Sequence, residues 1–140
     1  MKFIYLFILV SVLVACVKPE NPGGEISEAN TKEVLDHHWI AFKSNDLEET
    51  MKDYTEESVL ITPDVTYRGL DEIRNNFVNA FKLFPKDSAT FNLEKSIVVK
   101  DVGYILWNSK TPAFHLTYGT DTFIIQDGKI VRQTFAGVIQ

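Results

Sequence analysis

The spacing of hydrophobic residues divides this chain into a helical first part and a strand-rich second part. In residues 31–43 the apolar side chains recur along one side of a helix. Asp46 and Glu49 then have the spacing of an N-terminal helix cap, which predicts a second, shorter helix. Helical spacing returns over residues 70–84. The pattern therefore predicts three helices.

Most of the remaining hydrophobic positions follow the composition or alternation of strands. A β-branched run at 58–62 ends at a Pro-Asp turn, and residues 65–68 resemble a second short strand. Four longer strands are predicted, from residue 89 to a turn at 101–103 and over 104–110, 114–126 and 129–139. In the first long strand one side is expected to carry Phe91, Leu93, Ile97 and Val99. Two helices, one or two short strands, a third helix and then four long strands predict an α+β domain with its helices on one face of a curved antiparallel sheet.

The hairpin at 119–137 contains one acidic residue, Asp121, within an apolar alternating run. If residues 126–128 form a three-residue loop, Asp121 pairs with Gln133, whereas a two-residue turn pairs Asp121 with Thr134. We prefer the three-residue loop, because it keeps Arg132 off the apolar face.

This register predicts a candidate site on the inner face of the hairpin. The face would contain His115, Thr117, Gly119, Asp121 and Phe123 from one strand and Val131, Gln133, Phe135 and Gly137 from the other. Polar groups that converge on an apolar concavity are typical of small-molecule sites. Desolvation would raise the pKa of Asp121, so its protonated carboxyl could donate a hydrogen bond. Asp121 and His115 are therefore the candidate catalytic residues, although Asp121 could equally satisfy polar groups of the core.

Charge and residue content exclude several other classes of site. The formal net charge is −5, which disfavours nucleic acid as a partner. His37 and His38 are adjacent on a helix and point about 100° apart, so they cannot bind one metal as a pair. No Gly-x-Ser-x-Gly motif of a serine hydrolase occurs. We expect no metal and no cofactor.

The N-terminus has the features of an export signal. Lys2 precedes an apolar run over residues 3–14, which is too short for an ordinary membrane span of about 20 residues. The sequence Leu-Val-Ala-Cys ending at Cys16 resembles the lipobox of bacterial lipoproteins. The resemblance implies a signal peptide at 1–15, a lipidated Cys16 and anchoring of the protein in the bacterial cell envelope. Residues 16–30 would form a flexible tether to a domain at 31–140.

Six short features of the domain occur in a recognisable order. They are a helix with Trp39, the Asn-Asp-Leu corner at 45–47, Tyr-Thr-Glu-Glu-Ser-Val at 54–59, Gly69 before Ile73-Arg74, Asp121-x-Phe123, and Asp-Gly-Lys-Ile at 127–130. Together they resemble the SnoaL-like branch of the nuclear transport factor 2-like superfamily. The resemblance implies a cone-shaped curved sheet wrapped around three N-terminal helices, with a deep pocket inside.

The resemblance also assigns expected roles to individual positions. Asp121 matches a pocket aspartate that is an oxyanion donor in isomerases and an acid/base group in cyclases. Trp39 occupies the position of the isomerase's oxyanion-binding tyrosine, and Thr62 that of its general-base aspartate. Asp64, two residues further on, is the remaining candidate for that base. Steroid-isomerase chemistry is therefore not expected unless Asp64 acts as the base.

Three functions remain open on these observations. The first is binding of a small apolar or aromatic molecule in a pocket lined by Trp39, Thr62, Thr117, Phe123, Gln133 and Phe135. The second is acid/base catalysis of the cyclase, isomerase or dehydratase type by Asp121 with His115. The third is a structural or interaction role for a homodimer formed through the outer sheet face, which would carry Thr122, Arg132 and Thr134. Dimerisation through that face is common among family members.

Overall fold

A computed structural model describes residues 26–140, in which three helices precede or interrupt a six-stranded sheet. The elements are α1 (Glu28–Lys43), α2 (Leu47–Lys52), β1 (Val59–Ile61), β2 (Thr66–Arg68), α3 (Gly69–Leu83), β3 (Thr90–Val99), β4 (Val102–Lys110), β5 (His115–Gln126) and β6 (Lys129–Ile139). The sheet order is β2-β1-β6-β5-β4-β3, and all neighbours are antiparallel except β1 and β6, which are parallel. The α+β prediction is confirmed. The predicted signal peptide and Cys16 lie outside the described residues.

Side-chain caps fix where the first two helices begin. The hydroxyl of Ser27 accepts from the backbone N–H of Asn30, so α1 begins at Glu28, inside the range predicted as tether. The Asp46 carboxylate accepts from the backbone N–H of Glu49 at 3.0 Å, which confirms the predicted cap of α2. No helix within residues 26–140 has both the length and the apolar composition needed to cross a membrane.

A β-bulge in β3 corrects the expected face of that strand. The register with β4 shifts between Leu93 and Lys95, and a one-residue bulge exchanges the two faces beyond it. Val98 therefore packs against the core, while Ile97 and Val99 point outward and are 43% and 56% exposed. The prediction that Ile97 and Val99 share a side with Phe91 and Leu93 is wrong.

The β5–β6 turn also differs from the preferred loop. Gln126 pairs with Lys129 across a two-residue turn, in which Asp127 and Gly128 both have positive φ (51° and 72°). Positive φ at both central positions is the requirement of a type I′ turn. A bulge follows at once, because Ile125 pairs with Ile130 but Ile124 pairs with Arg132.

This bulge changes the pairing but keeps the predicted face. Asp121 lies opposite Phe135, and Phe123 lies opposite Gln133, so the expected Asp121–Gln133 pair is wrong by two residues. A shift of two residues preserves the side on which each side chain lies. Gln133 is accordingly buried beside Asp121, and Arg132 is exposed.

A further bulge removes two residues from the inner face. The β5–β6 register shifts between Leu116 and Tyr118, so Thr117 has no paired partner. Leu116 is buried beside Gly119 on the inner face, and alternation places His115 and Thr117 elsewhere. The expectation that His115 and Thr117 face inward with Asp121 is therefore wrong.

Aromatic rings from the helices and the sheet form the core between them. The ring centroids of Trp39, Phe42 and Phe84 lie 5.6 to 5.8 Å from that of Trp107 on β4. A Cβ atom at Gly119 would lie 3.0 Å from the Trp107 ring, so the glycine permits the indole to lie against β5. The helices thereby cover the inner sheet face where Trp107 and Asp121 lie.

Candidate functional site

A cavity of about 410 Å³ lies between α1, α3 and the inner face of the sheet. Its volume falls within the range of small-molecule sites, about 300–1,000 Å³. The aromatic side chains in its lining are Trp39, Phe42, Tyr67, Phe77, Phe84, Trp107, Phe123 and Phe135. Its polar lining includes His38, Thr62, Asp64, Asn76, Asn79, Asp121 and Gln133. The cavity lining therefore combines apolar side chains, many of them aromatic, with several polar groups.

Of the eight residues predicted as catalytic or pocket-lining, six reach this cavity and two do not. Asp121 lines it, as do the predicted pocket residues Trp39, Thr62, Phe123, Gln133 and Phe135. His115 and Thr117 are absent from its lining, because the bulge at Thr117 shifts them off the inner face. The histidine that lines the cavity is His38 on α1.

Asp121 is a buried carboxyl held by two side-chain donors. It is 5% exposed; the indole N–H of Trp107 donates to Oδ2 at 2.8 Å and the Gln133 amide donates to Oδ1 at 2.9 Å. Burial raises the pKa of Asp121 to about 6, against the opposing effects of these two hydrogen bonds and of His38. Asp121 therefore changes charge near neutral pH and can accept or donate a proton.

The amide of Gln133 continues this network toward α2. Its Oε1 accepts from the Tyr54 hydroxyl, and Nε2 of His38 lies 3.3 Å from the Tyr54 oxygen. Burial, with the negative charges of Asp121 and Asp53, raises the pKa of Tyr54 well above its ordinary value. Tyr54 is therefore a neutral hydroxyl at physiological pH.

His38 connects the network to the protein surface. Its Nδ1 lies 3.1 Å from Oδ2 of Asp53, whose Oδ1 lies 2.8 Å from Nδ1 of His37. Nε2 of His37 then lies 3.3 Å from the Glu49 carboxylate. We call the connected side chains the polar row; its members are Asp121, Gln133, Tyr54, His38, Asp53, His37 and Glu49.

Sequence reasoning did not assign Tyr54, His38 or Asp53 to the site. These residues come from α1 and the end of α2, and Asp53 is placed by its backbone oxygen, which accepts from the N–H of Ile130 at 2.7 Å. No local spacing links them to Asp121, so only the tertiary fold brings them together. Within the described part of the chain, no group of three or more His, Cys, Asp or Glu side chains has the arrangement of a metal site.

Thr62, which occupies the position of the isomerase's general-base aspartate, lies at the mouth of the cavity. The hydroxyl of Thr62 donates to the Val65 carbonyl at 3.0 Å and accepts from the Val65 N–H at 3.1 Å, so it stabilises the β1–β2 turn. Asp64 lines the cavity and is exposed. Asp121 is thus the buried carboxyl of the cavity lining, and Asp64 is a solvated one at its mouth.

Replacing Trp107 by phenylalanine is expected to raise the pKa of Asp121 by about one unit or more. The substitution keeps a ring but removes the N–H donor, and a hydrogen bond to a charged group contributes about 1.5–3 kcal/mol. The pKa can be followed by the carboxyl ¹³C chemical shift in a pH titration. Trp39→Phe is the matched control, since Trp39 lines the same cavity without donating to Asp121. Equal pKa values in both variants would contradict the assignment.

Comparisons with known proteins agree with this architecture. The SnoaL-like domain family matches residues 35–133. A nuclear transport factor 2-like protein of unknown function from Mesorhizobium loti is 20% identical, with a TM-score of 0.68 over 79% of this chain and 93% of that chain. A SnoaL-like protein of unknown function from Burkholderia thailandensis is 14% identical, with a TM-score of 0.65 over 81% and 98% of the two chains. No curated protein matches the sequence significantly.

A third solved structure carries a functional name. It is a protein from Sinorhizobium meliloti provisionally named a polyketide cyclase, 18% identical, with a TM-score of 0.66 over 79% of this chain and 99% of that chain. At these identities the structures establish a shared fold only. The family match shows that this chain belongs to the SnoaL-like domain family, and the solved structures show that it shares the nuclear transport factor 2-like fold. The resemblance seen in the sequence and its cone fold are confirmed.

Proposed function

We propose that the cavity binds a small, largely apolar or aromatic molecule that places one polar group against Asp121. The observation that carries this proposal is an open cavity of about 410 Å³, walled by aromatic rings and containing a buried carboxyl. Aromatic walls supply most of the apolar contact area, while one fixed polar group orients the ligand. A fused-ring alcohol has this combination of features.

Binding of 2-naphthol tests the proposal directly. Isothermal titration calorimetry at pH 7.5 is expected to give a Kd on the order of 0.1 mM, typical of a ligand of this size. 2-Naphthoate has the same rings but a negative charge, and it should bind at least about tenfold more weakly because Asp121 is ionised above a pKa of about 6. Absence of binding by 2-naphthol, or equal binding of both probes, would count against the proposal.

Acid/base catalysis is a second candidate, and the raised pKa of Asp121 favours it. A general acid or base works best with a pKa near the operating pH, and Asp121 has a pKa of about 6. Its partner would be His38 rather than His115, because His38 lines the cavity. The test is a screen of carbonyl compounds with acidic α-protons. Turnover that Asp121→Asn abolishes, with the fold retained in circular dichroism, supports catalysis, whereas turnover that survives the substitution rejects Asp121 as the catalyst.

We also propose that the domain forms a homodimer through its outer sheet face. Ile97, Tyr118 and Val138 point away from the helices and are 43%, 45% and 54% exposed. Exposed apolar side chains grouped on one face mark interaction surfaces. If the domain pairs through this face, Val138→Lys should convert a dimer into a monomer in light scattering. Ile40→Lys, on the exposed side of α1, should leave the dimer intact. A wild-type monomer at micromolar concentration would overturn this part of the proposal.

We also propose that Cys16 anchors the domain to a membrane of the bacterial cell envelope. The support is the lipobox-like sequence that ends at Cys16. Several acyl chains, at about 0.8 kcal/mol per buried CH₂, anchor a protein stably. Cys16→Ser should move the protein from the membrane fraction to the soluble fraction. An unchanged distribution would reject the lipid anchor.

A further inference from the structure

We propose that His38 is a specificity-determining residue of the cavity. Acting through Tyr54 and Gln133, it holds Asp121 as a hydrogen-bond acceptor, so that the cavity selects a ligand with a hydroxyl or N–H donor. The inference rests on the proposed binding function for its consequence, but its effect on Asp121 can be measured without a ligand.

The proposed direction of donation in the polar row starts from the orientation of the Gln133 amide. Both side-chain donors next to Asp121 point at its carboxylate, namely the Trp107 indole and the Gln133 amide nitrogen. Gln133 then presents Oε1 to Tyr54, so the Tyr54 hydroxyl donates to it. The proton of that hydroxyl is thereby committed to Gln133, and the Tyr54 oxygen is left as an acceptor.

That acceptor requires a donor from His38. Nε2 of His38 lies 3.3 Å from the Tyr54 oxygen, and Nδ1 lies 3.1 Å from the Asp53 carboxylate. In the arrangement that we propose, both nitrogens donate, which places a positive charge on His38 between Asp53 and the row that leads to Asp121. Each contact in the row from Asp121 to Asp53 then joins one hydrogen-bond donor to one acceptor.

The hydrogen bonds of the row can also all be made with donation in the opposite direction. The protonation of His38 therefore decides whether Asp121 accepts or donates a hydrogen bond. If His38 loses the Nε2 proton and Asp121 gains one, the Gln133 amide turns over and the Tyr54 hydroxyl donates to His38. Asp121 then donates to the Gln133 oxygen. The net charge is unchanged, because one N–H bond is broken and one O–H bond is formed. Both residues line the cavity, so both protons can exchange with water there.

The charged and titratable groups that surround the row are few. Asp53, from the end of α2, faces His38, while α3 and β5 present the uncharged rings of Phe77 and Phe123 to it. Beyond Asp53 lies His37, whose pKa is lowered by burial but raised overall by the nearby acids Asp53 and Glu49. Glu49 is also paired with Lys52, and Asp64 is exposed at the cavity mouth. The direction of donation along the row therefore depends mainly on His38, Asp53, Tyr54 and Asp121.

The experiment follows the titration of Asp121 by its carboxyl ¹³C shift in four variants. Tyr54→Phe breaks the row, and His38→Gln removes the positive charge. Because either change disfavours the ionised carboxyl, each should raise the titration midpoint of Asp121 by about one pH unit. The double variant should rise no further than either single variant. His37→Gln, the same substitution at the adjacent position, should leave the midpoint nearly unchanged, because His37 contacts neither Tyr54 nor Gln133.

Two other results would overturn the inference. A rise in His38→Gln with no change in Tyr54→Phe would mean that only the charge of His38 acts, across space. An unchanged midpoint in both would mean that the row has a structural role alone. Circular dichroism of each variant confirms that it is folded, and the signal that is lost in Asp121→Asn identifies the carboxyl resonance of Asp121.

A ligand test separates this inference from the binding proposal. At pH 7, Tyr54→Phe should improve the affinity for 2-acetylnaphthalene, an acceptor, relative to 2-naphthol, a donor, by about tenfold. If neither probe binds but the midpoints of Asp121 move as expected, the coupling stands and the proposed function fails. If both bind and their ratio is unchanged in Tyr54→Phe, the specificity role of His38 is rejected while the binding function stands.

Discussion

The free energy of unfolding of the wild-type domain is expected to fall by an amount on the order of 3 kcal/mol between about pH 4 and pH 6, because of Asp121. The Asp121→Asn variant should not show this fall. The pKa of Asp121 is about 6 in the folded protein, against an ordinary value of 3.8. In this window the folded state binds more protons than the unfolded state, so the free energy of unfolding falls as pH rises. The stabilisation is complete at pH values below the ordinary pKa of 3.8, and it is lost as pH rises through the pKa of about 6 in the folded protein.

Urea unfolding at several pH values measures this difference. Asparagine cannot titrate, so the Asp121→Asn curve should lack the falling component that the wild type shows. Asp64→Asn is the control, because Asp64 is an exposed carboxyl of the same cavity and should keep the wild-type pH dependence. Glu48 and Glu49, whose pKa values are lowered by Arg74 and by Lys52 with His37, contribute in the opposite direction in all three proteins. Parallel curves for wild type and Asp121→Asn would contradict the burial of an ionisable Asp121.

Filling the cavity is the second substitution with a large expected effect. Ala80→Phe places a ring in the space beside Phe77 on α3, and it should weaken 2-naphthol binding on the order of 100-fold because ring and ligand compete for one volume. Calorimetry measures the affinity, and thermal unfolding checks that the domain remains folded.

Val78→Phe provides the matched control for this substitution. It introduces the same side chain on the same helix, at a position that is exposed and absent from the cavity lining. Its affinity for 2-naphthol should equal that of the wild type. Undiminished binding by Ala80→Phe would show that the ligand lies elsewhere.

The helices and the order of elements could be predicted because their signals are local. The cap at Asp46 and the apolar side of α3 each depend on residues within one or two turns. Asp121 was recognisable for a similar reason, since a lone carboxyl in an alternating strand stands out. Its predicted neighbour Gln133 was also placed on the correct face, although its pairing was wrong.

The errors in the predicted site have a common physical cause. Bulges near Glu94 and Thr117 each insert one residue and exchange the faces of the strand beyond it, while the bulge near Val131 changes the pairing of β5 with β6. Their effect on the site is largest at Thr117, where the bulge replaces His115 with Leu116 on the inner face. Hydrophobic alternation alone does not show which residue is inserted.

The polar row could not be predicted for a different reason. Its members are contributed by α1, by α2 and the residues directly after it, and by β5 and β6, and their contacts span 12 to 79 residues of sequence. Tyr54 and His38 each look like ordinary members of a helix face until the sheet places Gln133 against them. Single-sequence patterns contain no distance information of this kind.

The central claim is that the cavity binds an aromatic alcohol through Asp121, and a crystal structure of the domain with 2-naphthol tests it most directly. The rings should lie among Trp39, Phe77 and Phe135, with the hydroxyl oxygen about 2.5–3.0 Å from a carboxylate oxygen of Asp121. An empty cavity with 2-naphthol on another surface, or a bound molecule whose hydroxyl points away from Asp121, would contradict the account.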